Sequence, residues 1–134
     1  LIRSVIQVDV KVEPIPGPSA FLTALVASGL PTDRFLFVGF LPPKKGRRKK
    51  LSDLASYEAT LIFYENPKRV VKTLSDIATF LGNRPAVVGR ELTKVHEEII
   101  RGTISELLSY FSRESPRGEC VIMIGKDDPN VYFG

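Results

Sequence analysis

Apolar and polar positions alternate along this chain in two periods. Residues 59–65 read ATLIFYE, a nearly continuous apolar run of the kind found in a strand covered on both faces. Residues 118–125, GECVIMIG, predict a last buried strand of the same type. RFLFVGF at 34–40 is aromatic and β-branched and predicts another strand, with Gly39 marking a bend or a close approach. PAVVGREL at 85–92 predicts a further strand, and EEIIRGTI at 97–104, less cleanly alternating, an exposed one. VKVEPI at 10–15 alternates as a short strand until PGPS breaks it.

Between these runs the spacing turns helical. From Ala20 onward Phe21, Leu22, Leu25 and Val26 recur on one face, and Gly29 and Pro31 close the helix. A second helix is predicted from about Arg47 to Ser56. The third is the best punctuated: Asn66 caps it, Pro67 takes its first position and Gly82 ends it. Its stripe is Val70, Val71, Leu74, Ile77, Ala78 and Leu81. SELLSYF predicts a short helix capped by Ser105. Strands and helices thus alternate, with one hairpin near 88–104. This predicts an α/β fold, a mixed β-sheet flanked by helices, with a ligand site beyond the strand ends.

Length and composition narrow the class. The chain has 134 residues, the size of one compact domain, and its 43% hydrophobic and 25% charged content argue against disorder. No apolar run approaches the roughly 20 residues that span a bilayer. The opening LIRSVIQVDV has neither the basic start nor the cleavage site of a signal peptide, and the single cysteine, Cys120, fits a reducing cytoplasm. The absence of a starting methionine predicts a piece of something longer.

Charge changes the picture at one place. The net charge is +4, from 19 basic and 15 acidic residues. Lys44, Lys45, Arg47, Arg48, Lys49 and Lys50 crowd into PPKKGRRKK, and setting those six aside leaves 13 basic residues against 15 acidic ones. The positive character belongs to one loop, stiffened at its start by Pro42 and Pro43. Such a loop is either a solvated charge run or a local contact with a polyanion, and its density points to RNA phosphates.

Candidate chemistry is sparse. One histidine, His96, and one cysteine cannot build a tetrahedral metal site, so no metal is expected; His96 reads as a surface or supporting residue and Cys120 as a core thiol. No glycine-rich dinucleotide or P-loop motif occurs, and no nucleophilic triad has a base. PIPGPSA at 14–20 ends a strand and starts a helix, whose free N–H groups suit a carboxylate. IFYENPKR brings Tyr64 and Glu65 to a strand end, where they either contact a ligand or Glu65 pairs with Lys68 or Arg69. GRELTKVHEE releases Arg90, Glu91 and Lys94 at another strand end, with Arg90 and Glu91 either at a ligand or paired with each other.

Three stretches, VEPIPGPSAFLTALVASGLPTDRFLFVGFLPPKKGRR, LIFYENPKRVVKTL and VVGRELTKVHEEIIRGTISEL, together resemble the bacterial 16S ribosomal RNA cytidine 2′-O-methyltransferases, a branch of the tetrapyrrole methylase superfamily. The likeness runs in register through Gly125. It implies a two-domain enzyme that uses S-adenosylmethionine, of which residues 1–10 are the last helix of the N-terminal domain and 11–134 the C-terminal domain, inactive alone. It implies cofactor contacts at Pro18, Ser19 and Ala20, at Tyr64 and Glu65, and at Arg90 and Glu91. Glu65, Glu91 and Lys94 are the candidates for assisting proton removal from a ribose hydroxyl, unless the absent domain supplies that group. The six-cation loop matches no small-molecule contact in this family, and 16S RNA in the small ribosomal subunit is its implied partner. A homodimer is implied as well. Two other readings stand beside it: a sister methylase acting on a small porphyrin-like molecule, and a non-catalytic RNA-binding module.

Overall fold

The computed structural model describes residues 28–31, 34–90, 98–114 and 118–126. The strand expected at 10–15, nearly all of the helix expected from Ala20, and residues 91–97 lie outside them.

Five strands form one sheet: β1 (Phe35–Gly39), β2 (Thr60–Glu65), β3 (Pro85–Arg90), β4 (Glu98–Thr103) and β5 (Cys120–Ile124). Their order is β1-β2-β5-β3-β4, so the last of the described strands lies at the centre of the sheet. All five of its residues are buried, as that position requires. β1 and β2 are parallel, whereas β5 runs antiparallel to β2 and to β3, and β3 and β4 form the expected hairpin pairing. The sheet is mixed, and the carboxyl ends of β1, β2 and β3 reach the same rim.

Three helices, α1 (Arg47–Leu54), α2 (Val70–Leu81) and α3 (Ile104–Arg113), enclose the core on one face. That core joins Leu51 and Leu54 of α1, Leu74 and Ile77 of α2, and Leu107 and Phe111 of α3 to Leu61, Phe63, Val88, Ile122 and Ile124 of the sheet. Ile62, Val87 and Met123 point to the opposite face and are fully buried there too, which explains why these strands read as apolar runs without alternation.

Local chemistry sets the helix ends. Asn66 caps as expected, its side chain accepting from the Lys68 N–H at 3.0 Å, and Pro67–Arg69 makes a 3₁₀ turn before α2 begins. The predicted α2 stripe needs one correction: Val71 is 41% exposed, and Thr73 takes its place inside. Val70, Leu74, Ile77 and Leu81 follow the helical repeat, and Thr73 lies on that face whereas Val71 is turned about 100° from Val70. The cap of α3 also differs from the expected Ser105. Thr103 accepts from the Glu106 N–H, and the Glu106 carboxylate accepts from the Thr103 N–H at 2.9 Å, a reciprocal capping box. Two buried arginines hold α1 in place. Arg47 bonds to α2, and Arg84 spans from the Leu81 carbonyl at 2.9 Å to the Ala55 carbonyl at 3.0 Å.

Candidate functional site

The rim at the carboxyl ends of β1, β2 and β3 collects most of the described residues singled out in the sequence. Register fixes their order: Glu65 of β2 lies opposite Cys120 of β5, Cys120 opposite Arg90 of β3, and Arg90 opposite Glu98 of β4. The cationic segment leaves this same rim, between the end of β1 and the start of α1.

Neighbours in a strand face opposite ways, and this separates Tyr64 from Glu65. Glu65 shares its face with Phe63 and turns toward the helices, where it is buried. One carboxylate oxygen accepts the Asn66 N–H at 2.8 Å, and the other accepts the Thr73 hydroxyl at 2.6 Å. Neither Lys68 nor Arg69 is its partner in these bonds. The Thr73 oxygen in turn accepts from the Arg47 guanidinium at 2.9 Å, and Arg47 also donates to Asp76 at 2.9 Å and to the Pro42 carbonyl at 3.2 Å. A continuous polar chain therefore runs from the strand end, through α2, to the base of the cationic segment.

That chain divides the six cations. Arg47 is 6% exposed and fully engaged inside, while Lys44, Lys45, Arg48, Lys49 and Lys50 are exposed. Leu41 is buried in the core on the other side of the segment. Anchored at Leu41 and Arg47, the intervening residues project as a fixed turn, closed by the Arg47 N–H on the Lys44 carbonyl at 3.2 Å. α1 then starts from Gly46, which offers no capping side chain, and has no acidic residue in its first turn. Four cations stand where the helix dipole is positive, an arrangement that an arriving anion relieves.

Tyr64 turns to the face away from the helices. Its ring meets Phe37 edge-on at 5.2 Å and Phe40 at 5.8 Å between centroids. Burial, followed by the nearby Glu119 carboxylate, raises the pKa of its hydroxyl, which stays protonated at neutral pH. Sequence reasoning missed Phe40; the available signal was an aromatic ring set between a strand-ending glycine and the prolines of the cationic segment.

Arg90 pairs with Glu98, its cross-strand neighbour on β4. The Tyr110 hydroxyl donates to the other Glu98 oxygen at 2.8 Å. That bond first, and Arg90 second, hold the Glu98 carboxyl below its ordinary range. The same contact raises Tyr110. Cys120 is buried as a core thiol, with its sulfur 3.5 Å from the Gly118 carbonyl. Pro18, Ser19, Ala20, Glu91, Lys94 and His96 lie outside the described residues. At the opposite rim an open hollow of about 500 Å³ is lined by Arg34, Phe35, Tyr57, Glu58 and Ala59, and contains none of the residues singled out from sequence.

Comparison with known proteins places this arrangement. The chain is 47% identical over 130 residues to "Ribosomal RNA small subunit methyltransferase I" of Halalkalibacterium halodurans, a match covering 96% of this chain and 45% of that protein. The protein of that name from Thermotoga maritima is 41% identical over 126 residues, covering 93% and 55%. The chain thus spans about half the length of the curated relatives it matches. Among solved structures, a cobalamin biosynthetic enzyme, cobalt precorrin-4 methyltransferase, superposes with a TM-score of 0.59 at 22% identity, covering 92% of this chain and 56% of that one. Uroporphyrin III C-methyl transferase from Thermus thermophilus gives 0.56 at 19% identity, covering 90% and 53%. These likenesses establish a shared fold. The profile of the tetrapyrrole (corrin/porphyrin) methylases matches residues 1–108, and the chain belongs to that family.

Proposed function

We propose that this chain is part of an enzyme that transfers a methyl group from S-adenosylmethionine to the ribose 2′-oxygen of a cytidine in the RNA of the small ribosomal subunit. In this reading residues 1–10 end the N-terminal domain, 11–134 form the C-terminal domain, and the whole works as a cytoplasmic homodimer. The observation that carries the reading is the cationic segment. Five exposed cations project from the rim where the family's strand ends converge, in a chain whose relatives at 41% and 47% identity are named for ribosomal RNA methylation. A porphyrin-like substrate gives such a segment no task.

S-adenosylmethionine, when bound, supplies a methyl group already activated on a sulfonium. The described rim fits it in part. Tyr64 presents a half-buried ring and a protonated hydroxyl on the face away from the helices, as a lining residue would. Glu65 and Arg90 are committed elsewhere, to Thr73 and to Glu98, and act by shaping the rim. We therefore assign proton removal to neither of them. Pro18, Ser19, Ala20 and Glu91 complete the proposed cofactor contacts, and Glu91 and Lys94 stay in the proposal as candidate proton acceptors.

The test uses the full-length parent, labelled S-adenosylmethionine and unmethylated small ribosomal subunits. Label on a ribose of the small-subunit RNA is the expected result. No transfer with cofactor binding intact turns the assignment to a small-molecule methylase, and RNA binding without cofactor affinity turns it to a binding module.

A further inference from the structure

Phe40 is 67% exposed, the most exposed large hydrophobic side chain among the described residues. A single surface phenylalanine is ordinary and needs no explanation. Three features set this one apart. The first is how it is aimed: the β1–β2 register shifts between Phe37 and Gly39, a bulge on the outermost strand of the described sheet, and Gly39 takes φ +75, which few residues other than glycine adopt. That bulge turns the chain as it leaves the sheet and sets Phe40 level with Tyr64. The second is its ring partner. Tyr64 backs Phe40 edge-on at 5.8 Å and is itself braced by Phe37 at 5.2 Å, leaving the ring supported from below and open above. The third is its position in the chain, directly before the segment that projects Lys44, Lys45, Arg48, Lys49 and Lys50.

An aromatic ring beside a cluster of exposed cations is the combination with which proteins hold unpaired nucleotides: the ring stacks on a base while lysines and arginines follow the phosphates. Resting on the RNA reading above, we propose that Phe40 is the base-stacking residue of this site. It holds an unstacked nucleobase of the RNA at the rim, next to Tyr64, while the cations downstream grip the flanking backbone. Sequence-independent phosphate contacts alone leave a ribose free to shift. A stacked base fixes its sugar relative to Tyr64, which makes Phe40 a positioning residue.

Stacking and charge separate cleanly by their response to salt, because only ionic contacts release counterions. In the full-length parent, binding to unmethylated small-subunit RNA is measured over a range of salt for Phe40→Leu, Phe40→Ala, Phe40→Trp and the reference Lys49→Ala/Lys50→Ala. Phe40→Leu keeps an apolar side chain without a π face, so it guards against misfolding. The expected result is a loss of roughly ten- to hundredfold for Leu and Ala at every salt concentration. The slope against salt stays as in the wild type, Trp recovers the affinity, and S-adenosylmethionine affinity and oligomeric state do not change. Wild-type RNA affinity in Phe40→Leu, with the reference double variant flattening the slope, overturns the stacking role and leaves the RNA reading intact. Altered cofactor affinity or oligomeric state with unchanged RNA binding also overturns it, assigning Phe40 to the support of Tyr64 at the cofactor site in the first case and to a subunit interface in the second. A reference double variant with unchanged affinity and slope overturns the RNA reading itself.

Discussion

Thr73 occupies an inward position on α2 that the neighbouring pattern fills with valine, leucine and isoleucine. A hydroxyl there is tolerated because it both gives and receives, donating to Glu65 and accepting from Arg47. Removing it leaves two buried ionisable partners, Glu65 and Arg47, each short of a hydrogen bond. Thr73→Val, nearly the same volume, is therefore expected to cost about 2–4 kcal/mol in urea unfolding, while Lys49→Ala stays within about 0.5 kcal/mol. Arg47 was legible as a cation and illegible as a buried one, since charge density along the chain says nothing about direction. The signal was present in the spacing: Arg47, Leu51 and Leu54 share one helical face, and the two leucines are buried. Glu98 shows the same limit, because its partners Arg90 and Tyr110 come from two other elements. With its carboxyl lowered in the folded state, Glu98 adds stability that is present above the ordinary carboxylate range and lost as pH falls through the lowered value. Tyr110→Phe removes the largest cause. It should reduce stability at neutral pH, and the gap from wild type should close in acid, when urea midpoints are compared at the two pH values.

Elements were the most legible level, because periodicity and punctuation are local. The strands at 34–40, 59–65 and 118–125 all form within a residue or two of their predicted bounds, and the helix opening at Asn66 ends where expected but takes its first three residues, Pro67–Arg69, as a 3₁₀ turn. Caps are harder, since Thr103 and Ser105 are both good capping residues and only the backbone shows which one precedes the first turn. Thr103→Ala should cost about 1 kcal/mol, and Ser105→Ala, which loses an exposed bond to Asn83, about half of that or less, both read from thermal unfolding. α1 departs from what a helix prefers: no side-chain cap, no acidic residue and four cations in its first turn. Such departures collect at functional positions. Lys49→Glu at this helix start is expected to stabilise the free protein by about 0.5 kcal/mol at low salt while weakening its hold on RNA. A variant that loses both stability and RNA binding would mean that the cations serve the fold.

At the scale of the molecule, sequence gave the mixed sheet and its hairpin but not the strand order. Nothing local says that β5 enters between β2 and β3; only the complete burial of Cys120–Ile124 hints at a central place. That insertion matters for the site, because it puts Cys120 between Glu65 and Arg90 and so builds one rim from strands distant in sequence. The charge asymmetry was legible at once, since it is a sum over positions. With the six cations set aside the remaining 13 basic and 15 acidic residues nearly balance, so the positive field of this chain originates at that rim. A polyanion drawn to the chain is thereby drawn to the strand ends, which an evenly basic surface would not achieve. The structure refines the number of cations available to it from six to five, because Arg47 faces inward. Each exposed cation that meets a phosphate should contribute about 0.7 to 0.9 to the slope of log affinity against log salt. In the full-length parent, single alanine variants of Lys44, Lys45, Arg48, Lys49 and Lys50 that remove such contacts should each flatten the slope by about that amount and leave the urea midpoint near wild type. Arg47→Gln should reverse the pattern, with a lower midpoint and no comparable, contact-sized loss of slope. Equal behaviour of all six would mean that Arg47 leaves its partners to meet the RNA, and the polar chain from Glu65 would then be broken in the bound state.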